Sequence, residues 1–437
     1  MVCIESEKHF DPHENLRMQV MMETWFHKKK VLAVCAVALL PILGIASCYN
    51  TFDKDIGPLS RTINTDGMSH QQSVTESEKT TIDPSMTIGG RVGDLAPELR
   101  GITNWINSNQ ITMDQLKGRV VLIDFWTYTC VNCIRTIPYL KEWFERYKDQ
   151  DLVIIGLHAP EFEFEKVSAN VSKFTNLHGI GWPIAQDNDM KTWDAYDNMY
   201  WPAKYLIDKD GVIRYRHFGE GNYAETEIAI QELLSEITPA DDETPAQLPS
   251  DPELDISFRN RMFGQVTREI YSGHNRNSNA VIFGNQPYVI QPEYYENVGE
   301  NNYFQEPEVL LSDQLYLNGN WIIRDESIVH GKTVSDFNDY LSLKYSAKTV
   351  NVVMASDSNR PRKMLVMMGG KNLTEANRGL DVVIDEDGHS FVIVKDARLY
   401  EVVDNSKYRE DQLLRLRMRD EGIHVYAFTF GVYEDGP

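Results

Sequence analysis

Cysteine and basic charge are both scarce in this chain. Five cysteines occur among 437 residues, and none follows Cys133. This distribution excludes a small scaffold held together by disulfides, so each cysteine needs its own explanation. Acidic residues, 65 in number, outnumber the 43 lysines and arginines and give a net charge of −22. Because no basic stripe interrupts this acidity, nucleic acid is excluded as a partner and anionic membrane surfaces are disfavoured.

Long apolar stretches are scarce as well, and the single one lies at residues 31–45, directly after three lysines. As a helix it would rise about 22 Å, short of the roughly 30 Å hydrocarbon core of a membrane. A basic cluster followed by a short apolar run and small residues predicts a signal peptide, with an uncleaved membrane anchor as the alternative. Residues 45–48, Ile-Ala-Ser-Cys, resemble the bacterial lipobox. This resemblance implies that residues 1–48 are a lipoprotein signal segment and that Cys48 is lipidated.

Composition divides the rest of the chain into two polar connections and two patterned regions. Residues 49–90 are rich in Ser, Thr and Asp and predict a flexible tether, whereas four prolines among acids at residues 238–253 predict a linker. Residues 91–237 alternate strand and helix patterns, which suits an α/β domain with a mixed sheet flanked by helices. Residues 254–437 alternate with period two, which predicts half-buried antiparallel strands and hence an all-β sandwich.

A CxxC motif, Cys130-Val-Asn-Cys133, stands between a predicted buried strand at residues 120–125 and a predicted helix at 134–148. That context distinguishes a redox dithiol from a bare CxxC. Free amides and the positive dipole end stabilise a thiolate at the start of a helix, so Cys130 is the predicted nucleophile. Cys133, one turn further on, is placed to attack a mixed disulfide formed by Cys130. Such a site needs no cofactor beyond the Cys130–Cys133 disulfide.

The sequence around this motif resembles thioredoxin, and more closely the TlpA-like domain of DipZ-type proteins. The resemblance is carried by residues 122–133, 200–208 and 218–221, and it extends over roughly residues 93–236. It implies a thioredoxin-like fold and thiol–disulfide oxidoreductase activity.

The resemblance also implies roles for residues near the dithiol. Asp124 matches the buried acid that accepts a proton from the second cysteine, and Pro138 matches the kinking proline of the active-site helix. Pro202 occupies the place of the cis-proline beside the dithiol. Trp126 is expected to serve packing first and substrate contact second, and Trp201 is a candidate substrate contact.

Three departures from thioredoxin lie near the site. Thr129 stands where thioredoxin has a tryptophan, Val131 and Asn132 replace Gly-Pro, and Trp201 replaces a smaller residue. These positions tune redox potential and substrate fit, so neither property is carried over from thioredoxin.

Two other uses of the dithiol stay open on sequence alone. A CxxC can be half of a zinc site, but only scattered histidines such as His158 and His217 could complete it, so no metal is expected. The segment that begins at His158 is interpreted as loop structure. A peroxiredoxin has Thr three residues and Pro seven residues before its reactive cysteine. Thr127 fits that pattern, whereas Ile123 occupies the proline position.

The C-terminal region resembles the corresponding domain of DipZ-type proteins, which looks like a jelly-roll carbohydrate-binding module. The matching segments are residues 267–273, 320–321, 398–400 and 427–431. The resemblance makes a glycan a candidate ligand. Aromatic side chains are plentiful here, but buried aromatics are commoner than sugar-stacking ones, so no ligand residue is assigned.

The sequence therefore predicts an exported thiol–disulfide oxidoreductase, lipid-anchored to a bacterial membrane on its periplasmic or cell-surface side. Its expected substrates are disulfide-containing exported proteins. DipZ-type proteins bring electrons through a multi-span membrane domain, but no second apolar stretch of spanning length occurs here. A separate membrane thiol transporter is therefore the expected electron donor. A non-enzymatic glycan-binding or scaffold lipoprotein with a vestigial dithiol is the alternative.

Overall fold

The structure is a computed structural model, and it describes residues 89–237 and 266–431. The predicted signal segment with Cys48, nearly all of the predicted tether and the predicted linker at residues 238–253 lie outside the described residues. Within the described ranges, no helix has both the length and the apolar composition needed to cross a membrane.

Residues 89–237, hereafter the α/β domain, form a six-stranded mixed sheet with helices on both faces. The strands are β1 (Asn104–Ile106), β2 (Val120–Trp126), β3 (Leu152–His158), β4 (Ile184–Gln186), β5 (Ala203–Ile207) and β6 (Ile213–Phe218). The helices are α1 (Val131–Tyr147), α2 (Ser168–Leu177), α3 (Lys191–Ala195) and α4 (Tyr223–Ser235). The strand order is β1-β4-β3-β2-β5-β6, with β2, β3 and β4 parallel and the other pairings antiparallel. The predicted α/β class with a mixed sheet is confirmed.

Strand β2 runs through the middle of this sheet, and its side chains alternate between two apolar layers. Val121, Ile123 and Phe125 belong to the layer that contains Trp193 of α3. Leu122 and Trp126 belong to the opposite layer, with the buried faces of α1 and α4. Because successive strand side chains point to opposite faces, Asp124 lies in the α1 layer.

Helix α1 packs an apolar stripe onto this sheet. Its buried positions include Cys133, Ile137, Leu140 and Trp143, a spacing of three and four residues that places them on one helix face. The helix begins at Val131, three residues earlier than predicted, so Cys133 lies within its first turn. Pro138 lies inside the helix, as the resemblance to thioredoxin implies.

Residues 266–431, hereafter the β domain, form an antiparallel network of 11 strands and one α-helix, α5 (His274–Ile282). The strands are β7 (Ile270–Tyr271), β8 (Asn301–Phe304), β9 (Leu315–Ile323), β10 (Ile328–His330), β11 (Asp339–Ser356), β12 (Arg362–Met368), β13 (Lys371–Asn372), β14 (Val382–Ile384), β15 (Ser390–Val394), β16 (Arg398–Met418) and β17 (Ile423–Gly431). The first half of β11 pairs with β9 and its second half pairs with β17. Strand β10 pairs with both β9 and β17. These pairings fold the strands around one apolar core.

The period-two pattern of the β domain matches its burial. In β16, Leu414, Leu416 and Met418 are buried, and the arginines between them are partly exposed. The predicted all-β class is confirmed. Among the aromatic residues, Tyr294 and Trp321 are buried in the core, as expected for most aromatics in this region.

The β domain contacts the segment just before Cys130 and the segment that follows β3. The rings of Phe162 and Phe164 lie 5.3 and 4.8 Å from the ring of Tyr426 in β17. The Tyr128 hydroxyl, two residues before Cys130, donates to the carbonyl oxygen of Ala397 at 3.2 Å. The β domain therefore lies close to the dithiol in space, in addition to following it in the sequence.

Candidate active site

The dithiol lies where β2 ends and α1 begins. Cys130 is the N-cap of α1, and its Sγ accepts a hydrogen bond from the Cys133 backbone N–H at 3.1 Å. The two cysteines are joined as a disulfide, with their Cα atoms 5.2 Å apart. Cys130 is partly exposed, whereas Cys133 is only 1% exposed. An attacking sulfur must reach its partner, so this difference in exposure favours Cys130 as the nucleophile.

A buried ion pair lies in the same layer of the sheet. Asp124 of β2 stands directly opposite Lys204 of β5 in the antiparallel register, and Oδ1 lies 3.3 Å from Nζ. Both side chains are almost completely buried. Burial raises the pKa of the Asp124 carboxyl, and the Lys204 ammonium opposes that rise. The alternation of β2 places Asp124 on the face that α1 covers with Cys133.

Pro202 and Trp201 lie beside the end of β2. The Trp201–Pro202 peptide bond is cis. Phe125 pairs with Ala203 across β2 and β5, so the pairing direction brings Pro202 next to the strand end from which the CxxC loop departs. Trp201 is partly exposed. Its ring is tilted against the Trp193 ring at a centroid distance of 4.2 Å, and its indole N–H donates to the Ala159 carbonyl at 3.0 Å.

The structure places Trp126 in the core, where it is 3% exposed. Its ring meets the His158 ring edge-on at 5.2 Å and lies 5.7 Å from the Phe174 ring. Packing is therefore the interaction that Trp126 makes in this structure.

A buried polar cluster lies behind the CxxC loop. Thr129, directly before Cys130, donates its hydroxyl to Glu165 at 2.5 Å. The Thr127 hydroxyl lies 3.3 Å from Nε2 of His158. All four side chains are buried. The segment that begins at His158, interpreted from sequence as a loop, therefore supplies part of the environment of the dithiol.

Burial shifts both titratable groups of this cluster toward their neutral forms. It raises the pKa of Glu165 to about 7, against hydrogen bonds from Thr129 and Thr127 that lower it. It lowers the pKa of His158 to about 3, so the imidazole is neutral at pH 7. Shifted groups of this kind gather at functional sites more often than elsewhere.

A zinc site would need two ligands in addition to Cys130 and Cys133. In the described parts of the chain, one group of His, Cys, Asp or Glu side chains has ligand spacing: Asp385, Asp387 and His389, in the turn between β14 and β15. That group contains neither cysteine.

Two members of the site were not recognised from the sequence. A lysine inside the apolar strand β5 is a visible anomaly, and pairing β2 with β5 would have placed Lys204 opposite Asp124. Glu165 carries no comparable signal, because it stands in a run of alternating glutamates and phenylalanines that reads as an exposed loop.

The fold and the dithiol define a thioredoxin-like thiol–disulfide oxidoreductase, and the chain belongs to this family. Residues 92–216 match the AhpC/TSA family. Residues 267–431 match the family described as thioredoxin like C-terminal domain.

Three curated relatives show the extent of the similarity. The thiol-disulfide oxidoreductase YkuV of Bacillus subtilis is 33% identical over 141 residues, which cover 32% of this chain and 94% of YkuV. ResA of Bacillus thuringiensis, also a thiol-disulfide oxidoreductase, is 30% identical over 149 residues, or 34% of this chain and 80% of ResA. Protein DipZ of Mycobacterium tuberculosis is 34% identical over 343 residues, or 77% of this chain. The match spans only 43% of the length of DipZ.

Proposed function

We propose that this protein is an exported, lipid-anchored enzyme that reduces disulfides in exported proteins. The observation that carries the proposal is the dithiol at the start of α1, with Cys130 partly exposed and Cys133 buried. Free backbone amides at a helix start stabilise a thiolate, and the buried second sulfur can reach only its neighbour.

In the proposed reaction, the Cys130 thiolate attacks one sulfur of a substrate disulfide. An S–S bond forms between Cys130 and the substrate, and the other substrate sulfur leaves as a thiolate. Cys133 then loses its proton, for which Asp124 is the proposed acceptor, and its thiolate attacks Sγ of Cys130. The Cys130–Cys133 disulfide forms and the second substrate sulfur leaves, so two electrons have passed to the substrate.

Asp124 suits this proton transfer because burial raises the pKa of its carboxyl. A carboxyl with a raised pKa takes up a proton more readily near neutral pH. Lys204 keeps the ionised form available between turnovers. Trp201 and Pro202 are the proposed substrate contacts, since both lie beside the strand end that leads to Cys130.

Each turnover leaves the dithiol oxidised, so a reductase needs an electron donor. We infer that this donor is a separate membrane thiol transporter, and that the tether at residues 49–90 lets the domain visit both donor and substrates. Trapping the redox state of the dithiol in intact cells tests this. A reduced fraction that disappears when the transporters are deleted supports the proposal. A dithiol that is wholly oxidised with all transporters present means that the protein is an oxidant instead, because reduction and isomerisation both begin with a free thiolate.

The match to the AhpC/TSA family favours a peroxidase as a second candidate. The peroxiredoxin pattern requires a threonine at the position of Thr127. In this structure the Thr127 hydroxyl lies 3.3 Å from Nε2 of His158, inside the core. A glycan ligand for the β domain remains a further candidate, and its binding is separable from dithiol chemistry.

One assay separates these functions. Reduced full-length protein is mixed with insulin or with hydrogen peroxide, and oxidation of the dithiol is followed in both mixtures. Faster oxidation by insulin, abolished in Cys130→Ser, supports the reductase. Oxidation by peroxide alone supports the peroxidase, and no reaction with either supports a vestigial dithiol.

A further inference from the structure

The residue before the nucleophilic cysteine is fixed by a buried carboxylate from another part of the fold. Thr129 is 2% exposed and Glu165 is fully buried. The Thr129 hydroxyl donates to Oε1 of Glu165 at 2.5 Å. Because Thr129 and Cys130 share a peptide bond, the position of the Thr129 side chain constrains the backbone that carries the Cys130 sulfur.

The second carboxylate oxygen of Glu165 also accepts hydrogen bonds. Oε2 accepts the backbone N–H of Glu161 at 2.6 Å and that of Phe162 at 3.0 Å. Glu165 therefore ties the CxxC loop to the segment that follows β3. Three donors favour the ionised form of this carboxylate against the effect of burial, and Thr129 connects it to the residue that carries the Cys130 sulfur.

The charges around Glu165 come from both domains. Glu161 raises the pKa of Glu165 by like-charge repulsion. Glu161 itself accepts hydrogen bonds from the Tyr271 hydroxyl and the Arg276 guanidinium of the β domain, each at 2.8 Å. The Tyr271 hydroxyl also lies 2.9 Å from Glu269. His158, whose Nε2 lies 3.3 Å from the Thr127 hydroxyl, is neutral at pH 7 because burial lowers its pKa.

We propose that Glu165 is a positioning residue for the dithiol, which acts through the Thr129 hydroxyl and through its own charge to set the acidity of the Cys130 thiol. This inference rests on the proposed function of the dithiol. The carboxylate disfavours a second negative charge on Cys130, whereas its neutral form does not.

The two groups therefore titrate as a coupled pair. Burial raises the pKa of Glu165 to about 7, within the range in which reactive cysteines of such sites ionise, roughly 3.5–7.5. As pH rises through that value, Glu165 becomes charged and opposes the Cys130 thiolate. The rate of Cys130 alkylation then rises with pH in two steps instead of one.

The test is the pH profile of Cys130 alkylation by iodoacetamide in the reduced full-length protein. Glu165→Gln removes the charge, so we expect one titration step, and alkylation at pH 7 about threefold or more faster than in the natural protein. Thr129→Val removes the hydrogen bond that lowers the pKa of Glu165. We therefore expect the titration step of Glu165 to move to higher pH. Thr129→Ser keeps the donor and serves as the matched control, with the natural profile.

The result that overturns the inference is a pH profile unchanged in both Glu165→Gln and Thr129→Val. A structural role alone would lower the stability of these variants and leave the profile in place. If Glu165→Gln fails to fold, the comparison of Thr129→Val with Thr129→Ser decides. Alkylation requires no protein substrate, so a natural protein that reduces no disulfide would refute the proposed function without deciding the role of Glu165.

Discussion

Asp124 and Lys204 form an ion pair inside the α/β sheet, with Oδ1 and Nζ 3.3 Å apart and neither side chain more than 3% exposed. Two neighbouring strands bring them together, because Asp124 and Lys204 occupy the same register position on β2 and β5. A buried charge is tolerated only when it is compensated. The Lys204 ammonium therefore stabilises the ionised form of Asp124, the residue that we propose as the proton acceptor.

Lys204→Met tests this compensation. The substitution leaves the Asp124 carboxylate buried without its cation, so the free energy of unfolding at pH 7 should fall by about 3–5 kcal/mol. Urea unfolding followed by circular dichroism measures the change. The matched control is Lys117→Met, which breaks a pair on the exposed surface and should leave the urea midpoint unchanged. Equal losses in the two variants would contradict the account.

His158 should make the protein sensitive to acid. The pKa of its imidazole is lowered to about 3 by burial, while in the unfolded chain it takes up a proton near its ordinary value of 6.5. Between these values the unfolded state binds more protons than the folded state, so stability falls as pH falls through that window.

His158→Gln removes this contribution. Its free energy of unfolding should fall less between pH 7 and pH 4 than that of the natural protein, by on the order of 3 kcal/mol. Urea unfolding at the two pH values measures the difference. The control variant is His389→Gln, because His389 is exposed. Its free energy of unfolding should fall between pH 7 and pH 4 by as much as that of the natural protein. An equal loss in His158→Gln would argue against a neutral buried imidazole.

Tyr426 joins the two domains through its contacts with Phe162 and Phe164. Tyr426→Ala removes this ring, and we expect the unfolding free energy to fall by about 2–3 kcal/mol. We also expect the unfolding temperatures of the two domains to move apart, because part of the contact between them is lost while the hydrogen bonds of Glu161 to Tyr271 and Arg276 stay in place. Scanning calorimetry reports both effects. Tyr303→Ala is the control because Tyr303 is 69% exposed, and the same separation of unfolding temperatures in that variant would show that the effect is not specific to the interface.

Cys48 is the predicted lipidation site. Mass spectrometry of the protein isolated from membranes should find no peptide from residues 1–47 and a lipid on Cys48. Cys48→Ser should move the protein out of the membrane fraction. Recovery of an intact peptide that spans residues 31–49 would show that the apolar run is an uncleaved anchor.

Much of the fold could be predicted because local pattern and tertiary structure agree. The period-two runs of β16 and the apolar stripe of α1 each indicate an element and its buried face. Short elements such as β1 and β4, with three residues each, carry too little periodicity to be found this way. They form because their neighbours in the sheet supply the hydrogen bonds.

Only those residues of the site that stand out in a local sequence pattern could be predicted. Cys130 and Cys133 stand in a recognisable context, and Asp124 is conspicuous within an apolar strand. Glu165 and Lys204 become part of the site only through tertiary contacts, with Thr129 in one case and across β2 and β5 in the other. The contacts of the β domain with Tyr128 and Glu161 depend on how two separate domains pack, and no local pattern records that.

The most direct test of the central claim is the capture of mixed disulfides by Cys133→Ser and Cys130→Ser variants of the full-length protein. Removal of the resolving thiol should leave Cys130 joined to its substrate, so Cys133→Ser should accumulate covalent complexes that a reductant dissolves. Cys130→Ser should accumulate none, because Cys133 is buried. Peptide mapping identifies the cysteine that carries each adduct. Complexes linked through Cys130 in the first variant alone are the predicted result, whereas equal yields in both variants, or none in either, would contradict it.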